Sequence, residues 1–180
     1  MPFFFIGSLH SDSDGGSCLS EGASIMGMHV LGISPVSEQG SCFHNSIWWW
    51  RPLWQYCEEI APDLIPADNL GHSNDGWELE EYAAQALSDR LTKALVSGET
   101  QRYEERYRAR LKALPPEICA LCGGTGRRAE PPATSPCLLL CHRCGGTGKV
   151  ANFETNYQFS IENVQEFAAF LRDCGGFNIC

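Results

Sequence analysis

The chain has no apolar run long enough to cross a membrane. A membrane-spanning helix needs ~20 consecutive apolar residues, and no stretch of the 180 residues approaches that length. The apolar start, Met1 to Leu9, has no basic residues ahead of its phenylalanines, and acidic and small residues follow it. A secretory signal needs both a basic start and a longer apolar segment. We therefore expect neither a membrane partner nor secretion.

Positive charge is nearly absent from the first 89 residues. This part has thirteen acidic residues and one basic residue, Arg51, which gives a local charge of −12. Residues 90–149 have eleven bases and five acids, and the whole chain carries −9. Because phosphate neutralisation drives nucleic-acid affinity, an acidic chain is a poor general nucleic-acid binder. The basic middle leaves nucleic acid as an alternative partner. The simpler interpretation is that the two parts neutralise each other after folding.

Cysteine, in contrast, is abundant, with ten residues. Four of them form two C-x-x-C pairs in the segments C-A-L-C-G-G-T-G and C-H-R-C-G-G-T-G, at Cys119, Cys122, Cys141 and Cys144. Two such pairs supply four thiolates to a tetrahedral structural zinc site with no open position for substrate. The glycines allow the turns to close while amide N–H groups point at the sulfurs. We predict one structural Zn²⁺ and a reducing, cytoplasmic location.

Two alternatives to this metal site are unbound thiols and a different choice of ligand. Free or redox-active thiols are the alternative to bound metal. Cys137 lies four residues before Cys141 and is a substitute ligand, although no glycine tail follows it. His142 lies inside the second C-x-x-C pair, where we expect it to be exposed and not to coordinate.

The two cysteine segments resemble the C-x-x-C-x-G-x-G repeats of the DnaJ-type cysteine-rich zinc domain. In that family two repeats form one zinc centre and four repeats form two centres. The resemblance covers residues 119–148 and implies a zinc hairpin. A J-domain and a second repeat pair are absent from these 180 residues, so a DnaJ-like chaperone accessory is one alternative among several.

Most of residues 28–180 resemble a group of proteins from bacteria and their phages. The resemblance is carried by S-E-Q-G-x-x-F-x-N-x-x-W-W-W-R-P-L-W, H-S-N-D-G and F-S-I-E-N-V-x-E-F-A-x-F-L-x-D-C-G-G-F. It implies a phage-related source and no particular activity. Where that group has a further glycine after N-D-G, this chain continues with Trp77-Glu78-Leu79.

Apolar periodicity and turn residues predict an α+β fold. A strand is predicted over 28–33. One helix is predicted to run to about Ile60 with Pro52 in its first turn. Further helices are predicted over 77–97, over 99–113 and after the capping residue Ser160. A strand is also predicted over 150–159, and an edge strand is predicted over 177–180. The prediction is a small single domain of three to four helices and a short sheet, with an inserted four-cysteine zinc hairpin.

The expected organisation has three parts. Residues 28–114 and 151–180 form the α+β core, and residues 115–150 form the zinc-binding hairpin. Residues 1–27 are rich in Ser, Gly and Asp with nothing periodic to bury, which predicts a disordered extension.

Two groups of residues are candidates for partner binding, because aromatic and arginine side chains dominate interface hot spots. The candidates are Trp48, Trp49, Trp50, Arg51, Trp54, Arg102, Arg106 and Arg110. One helical turn is too narrow to bury all four tryptophans, although at least two of them are expected in the core. For the arginines, the alternative is a solvated helix face paired with Glu104 and Glu105.

These features predict a non-enzymatic, zinc-stabilised protein-binding module. Its partner would be a host protein or complex, and a phage-derived, anti-CRISPR-like inhibitor of a bacterial defence system fits the acidic charge. A nucleic-acid binder using the basic region 102–149 is the rival. A hydrolase built on His72 and Asp75, with His44 nearby, is a further alternative. It predicts a concave pocket at those residues.

Overall fold

The computed structural model describes residues 27–130 and 139–180 and has an α+β fold. Its strands are β1 (Gly27–Gly32), β2 (Cys42–Ser46), β3 (Trp77–Leu79), β4 (Glu117–Ile118), β5 (Lys149–Val150) and β6 (Phe177–Ile179). Its helices are α1 (Ile47–Ile60), α2 (Glu81–Val96), α3 (Glu99–Ala113) and α4 (Ile161–Asp173). The predicted fold class is confirmed. The predicted extension, residues 1–27, lies outside the described residues except for Gly27, the first residue of β1.

The main sheet has four antiparallel strands in the order β2-β1-β6-β3. Ile179 of β6 lies opposite Val30 on one side and Trp77 on the other. The prediction of an edge strand at 177–180 is therefore wrong. Phe177 and Ile179 are fully buried, so burial favours the interior position in which both backbone edges of β6 are paired.

Helix α1 begins at Ile47, earlier than predicted. Pro52 consequently lies inside the helix and not in its first turn. Proline has no N–H to donate to the carbonyl four residues before it, which here belongs to Trp48. The backbone N–H of Gln158 donates to that carbonyl at 2.9 Å. A distant segment thus satisfies the acceptor that the proline leaves open.

Two further predictions need correction. The predicted helix over 77–97 begins only at Glu81, because Trp77–Leu79 pairs with β6 as strand β3. The predicted strand over 150–159 is reduced to β5, which pairs with β4. A 3-10 helix follows at Phe153–Asn156, and the side chain of Asn152 accepts a hydrogen bond at its start. Helix α3 has the predicted bounds, and the Ser160 side chain caps α4 as expected.

Aromatic side chains fill the core between the helices and the main sheet. Trp50 and Trp54 stack with ring centroids 5.3 Å apart, and Phe167 and Phe177 pack edge-on against Trp54. The four cysteines of the hairpin form a separate buried cluster. Among the described residues, no helix combines the length and the apolarity that crossing a membrane requires.

Candidate metal centre

The two cysteine segments form a hairpin whose halves are near-copies in structure as well as in sequence. Strands β4 and β5 pair at its base, and Arg127 and Leu140 form an isolated antiparallel bridge. The N–H of Cys119 donates to the carbonyl of Gly148, and the N–H of Cys141 donates to that of Gly126, both at 2.9 Å. Each cysteine turn is therefore anchored to the glycine tail of the other.

This exchange of hydrogen bonds brings the four sulfur atoms together. The Sγ atoms of Cys119 and Cys141 are 3.7 Å apart, and those of Cys122 and Cys144 are 3.8 Å apart. All four lie within 4.8 Å of one another. Cys119 and Cys141 have no exposed surface, and the other two are 9% and 8% exposed. The four cysteines are thus close enough together to hold a metal ion.

Backbone amides point at two of the sulfurs. The N–H of Gly126 donates to Cys122 Sγ, and the N–H of Gly148 donates to Cys144 Sγ, both at 3.3 Å. Burial acts to raise the pKa of Cys144, but hydrogen bonds from the Gly148 amide, the Cys141 thiol, the Gly146 amide and the Cys122 thiol lower it to about 7. Burial raises the pKa of Cys141 to about 11. The amides therefore favour the thiolate form of Cys144, whereas burial favours the thiol form of Cys141.

Glycine is required in these tails for two reasons. Gly126 and Gly148 have φ angles of 74° and 75°, in the left-handed region that disfavours side chains. A Cβ on Gly126 would lie 2.2 Å from the carbonyl oxygen of Gly146, and a Cβ on Gly148 would lie 2.1 Å from that of Gly124. The absence of side chains allows the two halves of the hairpin to approach closely enough for their sulfurs to meet.

The structure also assigns a role to a threonine in each segment, which the spacing of the cysteines does not reveal. The Thr125 hydroxyl lies 2.7 Å from the carbonyl oxygen of Cys122 and 2.9 Å from that of Arg127. Thr147 makes the same contacts, at the same distances, with Cys144 and Lys149. These hydroxyls brace the turn after each second cysteine. The repetition of threonine at the same place in both copies is the signal in the sequence.

The neighbouring candidate ligands lie outside this cluster. His142 is exposed, as expected, and its Nδ1 lies 3.4 Å from an Arg128 nitrogen. Cys137 falls outside the described residues, so its predicted role as a substitute ligand stays a prediction. Cys57 and Cys174 are buried in the core, and the Cys180 thiol donates to Asn178 Oδ1 at 2.9 Å.

The four tryptophans divide between core and surface. Trp50 and Trp54 have no exposed surface, and each indole N–H is satisfied inside the protein, by Gly71 O at 2.7 Å and by Asn69 Oδ1 at 2.8 Å. Trp50 and Trp54 therefore cannot contact a partner directly, because a fully buried side chain presents no surface to another protein. Trp49 is 38% exposed, and Trp48 is half-buried against Phe153 and Tyr157.

The three arginines of the predicted stripe on α3 are all exposed, and each has a different partner. Arg110 pairs with Glu154 at 3.0 Å and lies over the Tyr107 ring, and Arg106 lies over the Tyr103 ring. Arg102 instead reaches the backbone carbonyl of Ser97 at 3.4 Å. The expected ion pairs with Glu104 and Glu105 are absent for these three arginines in the described residues. Glu104 pairs with Arg108.

The histidine candidates are also separated. His44 packs against His29 across the sheet, with ring centroids 4.7 Å apart. Asp75 is exposed. The His72 imidazole instead lies 3.1 Å from Glu58, at the side of a cleft that Asp75 does not line. The predicted pairing of His72 with Asp75 is therefore wrong, because the loop turns the aspartate into solvent while α1 supplies a different carboxylate.

Comparison with known proteins identifies no relative. No protein-family model matches the chain, and searches of curated proteins and of solved structures give no match. The geometry of the four-cysteine site is therefore the basis for inferring function.

Proposed function

We propose that the four cysteines hold one structural Zn²⁺ and that the protein is a non-enzymatic binding module for another protein. The observation that carries the zinc assignment is the spacing of the sulfurs. Four thiolates around zinc at a Zn–S distance of ~2.3 Å form a tetrahedron with edges of about 3.8 Å. Two of the sulfur pairs are 3.7 and 3.8 Å apart. A set of four thiolates favours zinc over hard cations such as Mg²⁺ or Ca²⁺.

Such a zinc ion would stabilise structure and would not take part in catalysis. All four tetrahedral positions would be filled by protein sulfur, so no position is left for water or substrate. The ion would hold β4 and β5 and both cysteine turns together in a segment that buries few other apolar side chains. The zinc identity is tested by metal analysis of protein purified without chelators, with one zinc per chain expected.

The proposed contact surface is the apolar part of this hairpin. It comprises Ile118, Leu121, Leu139 and Leu140, which are 70%, 43%, 37% and 50% exposed. Ile118 and Leu140 directly precede the first cysteine of each segment. Exposed large apolar side chains on a short, rigid element are a feature of many protein-binding sites. A zinc-stiffened hairpin presents them with little loss of conformational entropy on binding.

The charge of the chain favours a basic partner. Residues 1–89 carry −12, and opposite charge on a partner accelerates association and selects among partners. We propose a host protein that has basic residues around an apolar patch. Inhibition of a bacterial defence protein, with the acidic half imitating nucleic acid, is the specific form of this function that the charge supports.

The binding proposal is tested by comparing two double-serine variants in a pull-down from bacterial lysate. Ile118→Ser with Leu140→Ser removes two exposed hairpin side chains, whereas Tyr82→Ser with Val96→Ser removes two exposed apolar side chains from α2. We expect one or more proteins to be retained by the wild type and the α2 variant and lost with the hairpin variant. Zinc content measured on the same samples must be equal. Equal recovery with both variants would contradict the proposed surface.

Nucleic-acid binding is the second candidate function, favoured by three exposed basic residues on the same hairpin, Arg127, Arg143 and Lys149. It makes a distinct prediction in a gel-shift series. Phosphate contacts must weaken steeply with rising salt, whereas an apolar protein contact must not. Strong salt-dependent shifts of DNA or RNA would replace the protein-binding proposal.

A further inference from the structure

A cleft unrelated to the metal centre lies between α1, α3 and the segment that follows β5. Its volume is ≈ 570 Å³, within the range of about 300–1,000 Å³ that is usual for small-molecule sites. Helix α1 contributes Arg51, Gln55 and Glu58 at four- and three-residue steps, which place them on one helix face. The opposite sides are formed by residues distant in sequence: His72, Tyr107, Arg110, Glu154 and Tyr157.

One side of the cleft is held in place by a chain of hydrogen bonds that reaches the core. The buried indole of Trp54 donates to Asn69 Oδ1 at 2.8 Å, and Asn69 Nδ2 donates to Glu58 Oε1 at 2.7 Å. The other oxygen of Glu58 lies 3.1 Å from His72 Nε2. This network fixes both the carboxylate and the imidazole, and it gives Glu58 partners for both of its oxygens.

The other side is positioned by tyrosines. An Arg51 nitrogen donates to the Tyr157 hydroxyl at 3.2 Å, and the guanidinium lies 5.6 Å from the centroid of the same ring. Arg110 lies 5.0 Å from the Tyr107 ring centroid and pairs with Glu154 at 3.0 Å. Both carboxylates of the cleft thus have partners: Glu58 accepts from the Asn69 amide, and Glu154 pairs with Arg110. Arg51 has no carboxylate partner among the described residues.

We propose that this cleft binds a small molecule through a phosphate or carboxylate group, with Arg51 as the principal contact and Arg110 as the second. A guanidinium presents a planar fork of N–H donors that matches the oxygens of either anion. Tyr157 orients the Arg51 fork and leaves its other donors free. Glu154 competes with the ligand for Arg110.

The test uses the full-length protein loaded with metal, with inorganic phosphate and acetate as probes. Titration is followed by ¹H–¹⁵N NMR of the arginine Nε–H and the Gln55 side-chain amide. We expect saturable shifts at Arg51 and Gln55 with at least one anion. The anion that saturates at lower concentration identifies the ligand group as phosphate or carboxylate.

Three variants make the proposal specific. Arg51→Gln removes the principal contact and should weaken binding about tenfold or more, as for loss of a hydrogen bond to a charged group. Glu154→Gln removes the competing carboxylate and should strengthen binding severalfold. Arg172→Gln, an exposed arginine on α4 that does not line the cleft, should leave the affinity unchanged.

Two results would overturn the proposal. One is the absence of saturable shifts with both anions. The other is equal affinity in the Arg51→Gln and Arg172→Gln proteins, which would show that any anion binding occurs elsewhere. Because Arg51 and Glu154 are exposed, these changes should not prevent folding, and thermal unfolding of each variant checks this. Neither result bears on the zinc site or the hairpin surface.

Discussion

Neighbouring residues of the same type have different environments in this protein, and the clearest case is the tryptophan run. Trp50 and Trp54 are four residues apart and therefore share one face of α1. That face is directed into the core, where both indoles are fully buried. Trp49 lies on another face and is 38% exposed. Identical side chains on one helix thus differ in what they contribute to stability.

The first prediction at this scale compares two of these tryptophans. Trp54→Ala should lower the free energy of unfolding by about 3–5 kcal/mol, because it leaves a large cavity in a packed core. It also removes the donor to Asn69. Trp49→Ala should lower the free energy of unfolding less, by about 1–2 kcal/mol, because 38% of that residue is already exposed. Urea denaturation measures both values, and equal losses would contradict the assignment of Trp54 to the core and Trp49 to the surface.

A second residue-scale prediction concerns the metal ligands. Cys144→Ser should reduce bound zinc from one equivalent to a small fraction, because a hydroxyl is a poor substitute for a thiolate. Cys180→Ser is the matched control, since Cys180 is exposed and does not belong to the four-cysteine site. Metal analysis of both proteins after gel filtration gives the result. Retention of zinc by Cys144→Ser would exclude Cys144 as a ligand.

The Asp63–Arg90 pair predicts a pH dependence. The Arg90 guanidinium hydrogen-bonds the Asp63 carboxylate and lowers the pKa of that carboxyl. A carboxyl with a lowered pKa in the folded state stabilises the protein above its unfolded pKa of about 3.9, and this contribution is lost as the pH falls through the folded-state pKa. The wild type should therefore exceed Asp63→Asn in stability at pH 7 and should lose this advantage towards pH 2.

Denaturant unfolding at both pH values tests this expectation. Asp75→Asn serves as the control, since Asp75 is exposed and forms no ion pair within the part of the chain that the structure describes. A difference between the wild type and Asp63→Asn that persists unchanged at pH 2 would show that the carboxylate charge is not responsible.

At the scale of elements, the hairpin depends on close backbone approach as much as on its cysteines. Gly123 and Gly126 both have positive φ angles, of 57° and 74°. A Cβ on Gly123 would meet nothing within 4 Å, whereas one on Gly126 would lie 2.2 Å from the carbonyl oxygen of Gly146. The two positions therefore separate the effect of backbone strain from the effect of the contact between the two halves.

We predict that Gly126→Ala lowers zinc affinity by about 10–100-fold, the usual range for loss of a supporting interaction around a metal site. The change would displace the carbonyl of Gly146 and the amide that donates to Cys122 Sγ. Gly123→Ala should have a smaller effect, since it introduces strain alone. Competition with a chromophoric chelator measures both affinities. Equal effects would mean that strain, and not the close approach, limits metal binding.

The strands show how pairing across the molecule overrides local preference. Trp77–Leu79 lies one residue before α2 and continues its apolar pattern, which favours helix. The segment becomes strand β3 because β6 lies beside it and because Gly76, with a φ angle of 81°, turns the chain into the sheet. The N–H of Gly76 donates to the carbonyl of Ile179 at 2.9 Å. A partner about 100 residues away in sequence decides the conformation of these three residues.

For the whole molecule, the core and the hairpin are held together by different forces. One aromatic-rich cluster includes residues from all four helices and the main sheet, while the cysteines form a second cluster. Removal of zinc by a chelator should therefore unfold the hairpin and leave the core folded. Apparent zinc-binding energies of ~10–16 kcal/mol in isolated fingers indicate that little hairpin structure would survive.

Hydrogen exchange with and without chelator tests this separation. The amides of Gly126 and Gly148 should lose protection, whereas the amides of Val30 and Phe170 in the core should keep it. Loss of protection throughout the protein would show that the hairpin and the core unfold as one cooperative unit.

The charge distribution is also a property of the whole molecule. Among the described residues, Arg90–Asp63 is the one ion pair that joins the acidic first half to the basic middle. Direct pairing between the described residues of the two parts is therefore limited. Most of the acidic charge on those residues remains available for long-range attraction to a basic partner.

The amino-acid sequence by itself determines the four-cysteine site and the helices α3 and α4. In each case the information is local: two C-x-x-C turns with glycine tails, a glycine before α3, and a serine cap before α4. The burial of Trp50 and Trp54, the central position of β6 and the pairing of His72 with Glu58 were decided only by the tertiary structure. Each depends on which distant segments pack together, because a side chain's burial and a strand's partner are set by contacts that local spacing does not encode.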